Sequence, residues 1–224
     1  MPGYYDKSLS ADRLRQVYEL APLRTRQYLD AEIAYVLSDI EPHHVVLELG
    51  CGYGRVLARL AEQASLAIGV DTSIQSLTYG RSIHGQLANF HFVCADAIRL
   101  PFGDQTFDRV ICIQNAISAF KVDPTALIRE SLRVTKIGGR TLFSSYSEKF
   151  WPHRLEWFEA QSAAGLVGPI DYQKTRDGNI VCTDGFTATT IAPEQFLALA
   201  KRFDADTKIQ EVDESSVFCE LTKR

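Results

Sequence analysis

The chain has 224 residues, 46% of them hydrophobic and 23% charged, with a formal net charge of −4. That length supports one sizeable core, so a single α/β domain with embellishments is the expectation. The weak acidity argues against a nucleic-acid surface, which needs clustered Lys and Arg, and no apolar run approaches the ~20 residues that cross a bilayer.

The N-terminal "MPGYYDKSLS" is polar and lacks the apolar centre of a signal peptide. "SADRLRQVYEL" follows with helical spacing and Ser10 or Asp12 placed to cap it, and Pro22 opens a second helical segment running to about Ile40. The basic residues between Arg13 and Arg26 read as a solvated helix face. From His44 onward strands and helices alternate. Strand-like runs lie at 45–49, 66–71, 90–94, 108–113 and 140–145, with helical patterns near 55–64, 73–83 and 124–135. Such alternation implies parallel strands with right-handed crossovers, hence a doubly wound sheet. The pattern then changes. Residues 147–165 form an aromatic-rich helical stretch, followed by short strand runs separated by "RDGN" and "TDG" turns. "APEQFLALAKRF" opens another helix at Pro193, and "ADTKIQEV" with "SSVFCELTK" reads as a hairpin. The expected organisation is one domain, 1–224: a helical segment at 1–42, a core at 43–146, an inserted β-rich cap at 147–190, and a helix with hairpin at 191–224.

The five cysteines (51, 94, 112, 182 and 219) are unclustered and include no CxxC pair. Cys94, Cys112 and Cys219 lie in apolar strand runs, where a thiol acts as a small hydrophobe. This usage suits reduced thiols in the cytoplasm better than a disulfide framework.

The densest signal is "VVLELGCGYGRVL", where a strand turns into a helix through Gly50, Cys51, Gly52, Tyr53 and Gly54. Glycine lets a ligand approach the backbone, and the helix behind it points free N–H groups at the same place. A dinucleotide or another adenosyl cofactor fits those facts. The dinucleotide fingerprint GxGxxG requires glycine where Arg55 stands, and the pattern here is GxGxG. Arg55 itself reads as the first residue of a solvated helix. Asp71 closes the second strand, where a carboxylate can accept from ribose hydroxyls or cap the next helix with Thr72 or Ser73. Asp96 follows the third strand.

The order "ELGCGYG", "GVDTS", "ADAIRLPF", "FDRVICIQNAIS" and "VTKIGGR" resembles the motifs of class I S-adenosylmethionine-dependent methyltransferases of the small-molecule type. The resemblance covers about 44–146 and the terminal hairpin. It implies a three-layer, Rossmann-like, doubly wound and mostly parallel sheet with an antiparallel last strand. It also implies S-adenosylmethionine as cofactor, with S-adenosylhomocysteine as product. By the same resemblance, Glu48, Gly50, Cys51, Gly52, Tyr53 and Gly54 would contact the methionine and ribose part. Asp71, beside Thr72, would take the ribose hydroxyls, Asp96 with Ala97 the adenine edge, and Gln114 would lie beside the sulfonium.

Methyl transfer from a sulfonium is an in-line displacement that needs a base only when the nucleophile arrives protonated. His43, His44, His84 and His91 belong to the amino ends of strands, the wrong end for the cofactor. His153 follows the fifth strand and is the candidate base, among Tyr146, Phe150, Trp151, Trp157 and Phe158. Those rings can line a pocket, draw in a cationic substrate or simply pack the cap. Tyr146, near His153, is a further catalytic candidate, and so is Tyr5, because small-molecule members of the resembled family fold an N-terminal segment over the pocket; Tyr4 and Tyr18 share that segment. The expected activity is methyl transfer to a small molecule, with no nucleic-acid or membrane partner and no metal. The alternatives are a protein or RNA methyltransferase and a non-catalytic S-adenosylmethionine-binding protein. "IQNAIS" in the fourth motif counts against nucleobase or glutamine targets. The acceptor atom and the oligomeric state stay open.

Overall fold

A computed structural model describes residues 9–85 and 88–224. Two helices come first, α1 (Asp12–Glu19) and α2 (Leu23–Leu37). An alternating series follows: β1 (Val45–Leu49), α3 (Arg55–Ala61), β2 (Leu66–Asp71), α4 (Ile74–His84), β3 (Phe90–Cys94), β4 (Phe107–Cys112), α5 (Ala116–Ala119), α6 (Pro124–Val134) and β5 (Thr135–Tyr146). A short 3₁₀ turn then leads into α7 (Trp151–Ala163), the two-residue strands β6 (Ile180–Val181) and β7 (Thr187–Ala188), α8 (Pro193–Ala200), β8 (Ala205–Val212) and β9 (Ser216–Lys223). Candidate residues Tyr4 and Tyr5 lie outside the described residues.

Seven strands make one sheet in the order β3-β2-β1-β4-β5-β9-β8. The first five are parallel, and β9 runs antiparallel between β5 and β8. The period-2 alternation of each strand feeds two cores, which makes the molecule three-layered. Leu47, Leu49, Val110 and Cys112 face α6 and α8 with Phe107, Phe143 and Phe196. Val46, Ile111, Ile113 and Leu142 face the other way, onto Ile33, Val36, Leu57 and Leu60. A third cluster holds the segment after β5 against α1 and α2 through Val17, Tyr28, Phe150, Trp157 and Phe158.

Three local departures from the sequence reading have simple causes. Ser10 does not cap α1; its hydroxyl donates to Gln75 Oε1 instead (2.9 Å), and Ala11 holds the cap position. The Gly138–Gly139 pair, outside the strand run expected at 140–145, is a bulge inside β5. A Cβ on Gly139 would stand 2.9 Å from the carbonyl oxygens of Asp108 and Lys136, so the bulge needs glycine there. Cys94, at the end of the edge strand β3, is exposed, whereas the other four cysteines are buried.

Candidate active site

Strand order reverses between β1 and β4, and ligands of open α/β sheets lie beyond the carboxyl ends of strands at such a switch point. A cavity of about 440 Å³ opens there. The turn after β1 forms its floor. Gly50, Gly52 and Gly54 have φ of 73°, 54° and 87°, a left-handed conformation that explains three glycines in five residues. The N–H groups of Gly50 and Cys51 donate to Val70 O (2.8 and 3.1 Å), tying the turn to β2. Side chains cover it closely: a Cβ on Gly50 would meet the Phe120 ring at 2.6 Å, and one on Gly52 would meet Leu14 at 2.8 Å.

Helix α4 supports this floor from behind through Gly80. A Cβ there would sit 2.5 Å from Tyr53 O and from the Phe92 ring. Helix propensity alone makes Gly80→Ala stabilising by about 1 kcal/mol. We expect the overlap to reverse that sign and destabilise the protein by about 1–3 kcal/mol, read as a lower urea midpoint at unchanged slope.

Asp71 stands at the mouth of β2. Its Oδ2 accepts from Gly52 N and its Oδ1 from Ser73 N, both at 2.8 Å. Ser73, not Asp71, caps α4, its hydroxyl accepting from Ser76 N. The Asp71 carboxylate thus fixes the glycine turn from both of its oxygens. Thr72, Asp96 and Ala97 line the same wall, and Asp96 Oδ1 accepts from Ile98 N at 3.1 Å.

Deeper in, the cavity is polar and unsatisfied. Glu48, fourth residue of β1, is buried, and its Oε2 has no hydrogen-bond partner among the described residues. Burial pushes its carboxyl up to about 8, against the pull of nearby Arg55. Arg55 is no solvated helix residue: its guanidinium lies 4.2 Å over the Tyr18 ring, with Nε and Nη2 buried and unpartnered among the described residues. Gln114 Nε2, also on the cavity wall, is in the same state. Buried polar groups left unpaired cost about 1–3 kcal/mol each. A ligand that offers a cation to Glu48 and an anion to Arg55, an amino-acid zwitterion, would satisfy both.

The remaining candidates fall elsewhere. Gly54 begins α3 beneath Phe90 and Phe92 and does not line the cavity. His153 sits in the first turn of α7, half-exposed, with Nδ1 3.8 Å from Glu156, also away from the cavity. Tyr146 is buried in the third cluster, 5.2 Å from Tyr28 and 6.0 Å from Phe150 between ring centroids. The faces of these rings are already used from within. Arg154, fully buried, lies 4.4 Å over Tyr146, 5.8 Å over Phe158 and 6.0 Å over Trp151. Trp157 donates its indole N–H to Val17 O (3.0 Å), so the aromatic helix serves packing of α7 on α1. Of the N-terminal tyrosines that are described, Tyr18 lines the cavity.

Among the described residues, one group can bring three ligand atoms within metal-binding reach, Glu41, His43 and His44. It lies before β1, at the opposite end of the sheet, and His44 Nδ1 already accepts from Glu41 N. No described helix is long and apolar enough to cross a membrane.

Residues 46–139 match the family of methyltransferase domains. The chain is 38% identical over 120 residues to a malonyl-[acyl-carrier protein] O-methyltransferase of Marinomonas, covering 51% of this chain and 43% of that one. It is 33% identical over 114 residues to a demethylmenaquinone methyltransferase of Corynebacterium urealyticum, covering 51% and 46%. This chain therefore spans about half the length of the curated relatives it matches. The fold likeness is more extensive: the magnesium protoporphyrin IX methyltransferase of Synechocystis superposes with a TM-score of 0.64 at 18% identity, over 99% of this chain and 97% of that one. With the glycine turn, the acid that ends β2, the acid that follows β3 and the antiparallel β9 all in place on that fold, the matched stretch, residues 46–139, is a methyltransferase domain of the class I S-adenosylmethionine-dependent type.

Proposed function

We propose that this protein transfers a methyl group from S-adenosylmethionine to a small-molecule acceptor. The observation that carries this reading is the unpaired Glu48–Arg55 couple beside the glycine turn, with Asp71 at the adjoining strand tip. When bound, S-adenosylmethionine supplies an electrophilic methyl group and leaves as a neutral thioether. Glu48 binds the cofactor's ammonium and Arg55 its carboxylate. The backbone of Gly50, Cys51, Gly52 and Tyr53 lies against the methionine and ribose, Asp71 with Thr72 holds the ribose hydroxyls, and Asp96 with Ala97 meets the adenine edge. Gln114 lies beside the sulfonium. Holding the nucleophile in line with the methyl group supplies much of the rate, and we route no proton transfer through His153 or Tyr146.

Several features support a compact acceptor. The cavity is roofed by Leu14, Tyr18 and Phe120, and the segment 147–190 acts as a cap by bracing α1 above it. The two curated relatives are named for malonyl-[acyl-carrier protein] and demethylmenaquinone chemistry. Basic residues described near the N-terminus are tied internally, Arg24 to Asp213 and Arg26 to the carbonyls of Glu19 and Ala21, which counts against their forming a cationic track for a nucleic acid. Five free cysteines, four of them buried, suit the cytoplasm.

The test uses methyl-labelled S-adenosylmethionine with a cell extract divided by size. Label is expected in the small-molecule fraction, above a control without protein. Label in protein or RNA instead would overturn the acceptor assignment. Label in no fraction, with the cofactor bound, would favour a non-catalytic binding protein.

A further inference from the structure

The turn after β4 contains two consecutive left-handed residues that are not glycine, Gln114 (φ 56°) and Asn115 (φ 60°). Such conformations persist only where the surroundings over-determine them, and they concentrate at functional sites. Here the restraint is visible. Gln114 N donates to Glu32 Oε2 at 2.7 Å and to Ser144 Oγ at 2.8 Å. Ser144 also favours the ionised form of the Glu32 carboxylate, and Ser216 Oγ donates to Glu32 Oε1 at 2.7 Å. Asn115 is gripped separately: its side-chain amide donates to Thr189 O, and its Oδ1 accepts from Ser145 Oγ.

Glu32 is fully buried in the middle of α2, and among the described residues no Lys or Arg forms an ion pair with it. A packing role does not call for a carboxylate in that place, because a buried charge without a counter-ion is costly. One carboxylate instead joins α2, the turn after β4, β5 and β9 at a single point.

We propose that Glu32 is a positioning residue for methyl transfer: by holding the main chain of Gln114, it fixes the turn that presents the Gln114 side-chain amide to the cavity. The catalytic half of this statement rests on Gln114 lying beside the sulfonium; the structural half does not. The device is sensitive to protonation. Burial raises the Glu32 carboxyl to about 7, with Ser216, Ser144 and Gln114 N pulling it back down. The other titratable groups facing it are Tyr28 one turn earlier on α2, Tyr146 from β5, Cys112 from β4 and Arg55 from α3. All three uncharged neighbours hold their protons at neutral pH, because burial raises each of them. The ionised carboxylate can accept from all three donors at once, whereas the protonated acid must spend one oxygen as a donor.

The experiment is an amide NMR titration across neutral pH of the labelled full chain, free and saturated with S-adenosylhomocysteine. In the free protein, the Gln114 amide proton is expected to shift with a midpoint near 7. Glu32→Gln should abolish that titration. Ser216→Ala removes a donor that favours the ionised form and should move the midpoint upward, which a merely structural contact would not do. A Gln114 amide that does not titrate, or titrates identically in both variants, overturns the proposal. Turnover of the acceptor recovered by labelling should fall about tenfold in Glu32→Gln at unchanged S-adenosylhomocysteine affinity. Unchanged turnover overturns the catalytic half. A normal titration in a protein that labels no small molecule leaves the hold on Gln114 standing and sinks the acceptor reading instead.

Discussion

Asp71→Ala is expected to weaken S-adenosylhomocysteine binding by about a hundredfold or more in a calorimetric titration, since hydrogen bonds to a charged group are worth about 1.5–3 kcal/mol each. Two separate losses combine. In the proposed binding mode the ribose hydroxyls lose their acceptor, and the glycine turn loses the Oδ2 contact that fixes Gly52 N. Ser73→Ala separates these effects from simple damage to α4. It removes the helix cap at a cost of about 1 kcal/mol in stability, with affinity expected within threefold of the parent. Affinity retained in Asp71→Ala would show that the carboxylate serves the turn alone.

Glu48→Gln should move stability and binding in opposite directions. Burial raises the Glu48 carboxyl to about 8, well above its value in an unfolded chain. A carboxyl raised on folding binds its proton more tightly in the native state, so the cofactor-free protein loses stability as pH rises from about 4.5 through 8. The neutral amide removes that slope. The variant is therefore expected to be more stable than the parent above pH 8, by on the order of 2–4 kcal/mol, measured by denaturant unfolding at a series of pH values. Its affinity for S-adenosylhomocysteine should fall at least tenfold, because in the proposed binding mode the ligand's ammonium loses its counter-charge. A variant that binds normally would remove Glu48 from the cofactor site.

The parts legible in the sequence were those written locally. Glycine at three alternate positions, an acid at the tip of β2 and β-branched strand runs each act through near neighbours, and the strand boundaries of β1, β2 and β3 follow residue for residue. The parts that escaped depend on phase or distance. Chain position placed His153 correctly after β5. The helical phase of α7, however, turns Arg154, Trp157, Phe158 and Gln161 inward and leaves residue 153 outside. Arg55 was indistinguishable from any charged residue opening a helix, because only the fold brings it over Tyr18 and near Glu48. Glu32 carries no local signature at all, since its partners lie on three other elements.

The contact between Glu32 and Ser216 joins positions 184 apart, across a strand inserted between two others. Pairings of such separation close loops late and slowly during folding. A refolding chain can make the β1–β2 pairs and the glycine turn from a continuous stretch of about thirty residues, while the Glu32 carboxylate that holds Gln114 gains its Ser216 contact only when β9 enters the sheet. On the roles proposed above, the adenosyl-binding turn can thus form before the network that steadies the methyl-transfer end of the cavity is complete.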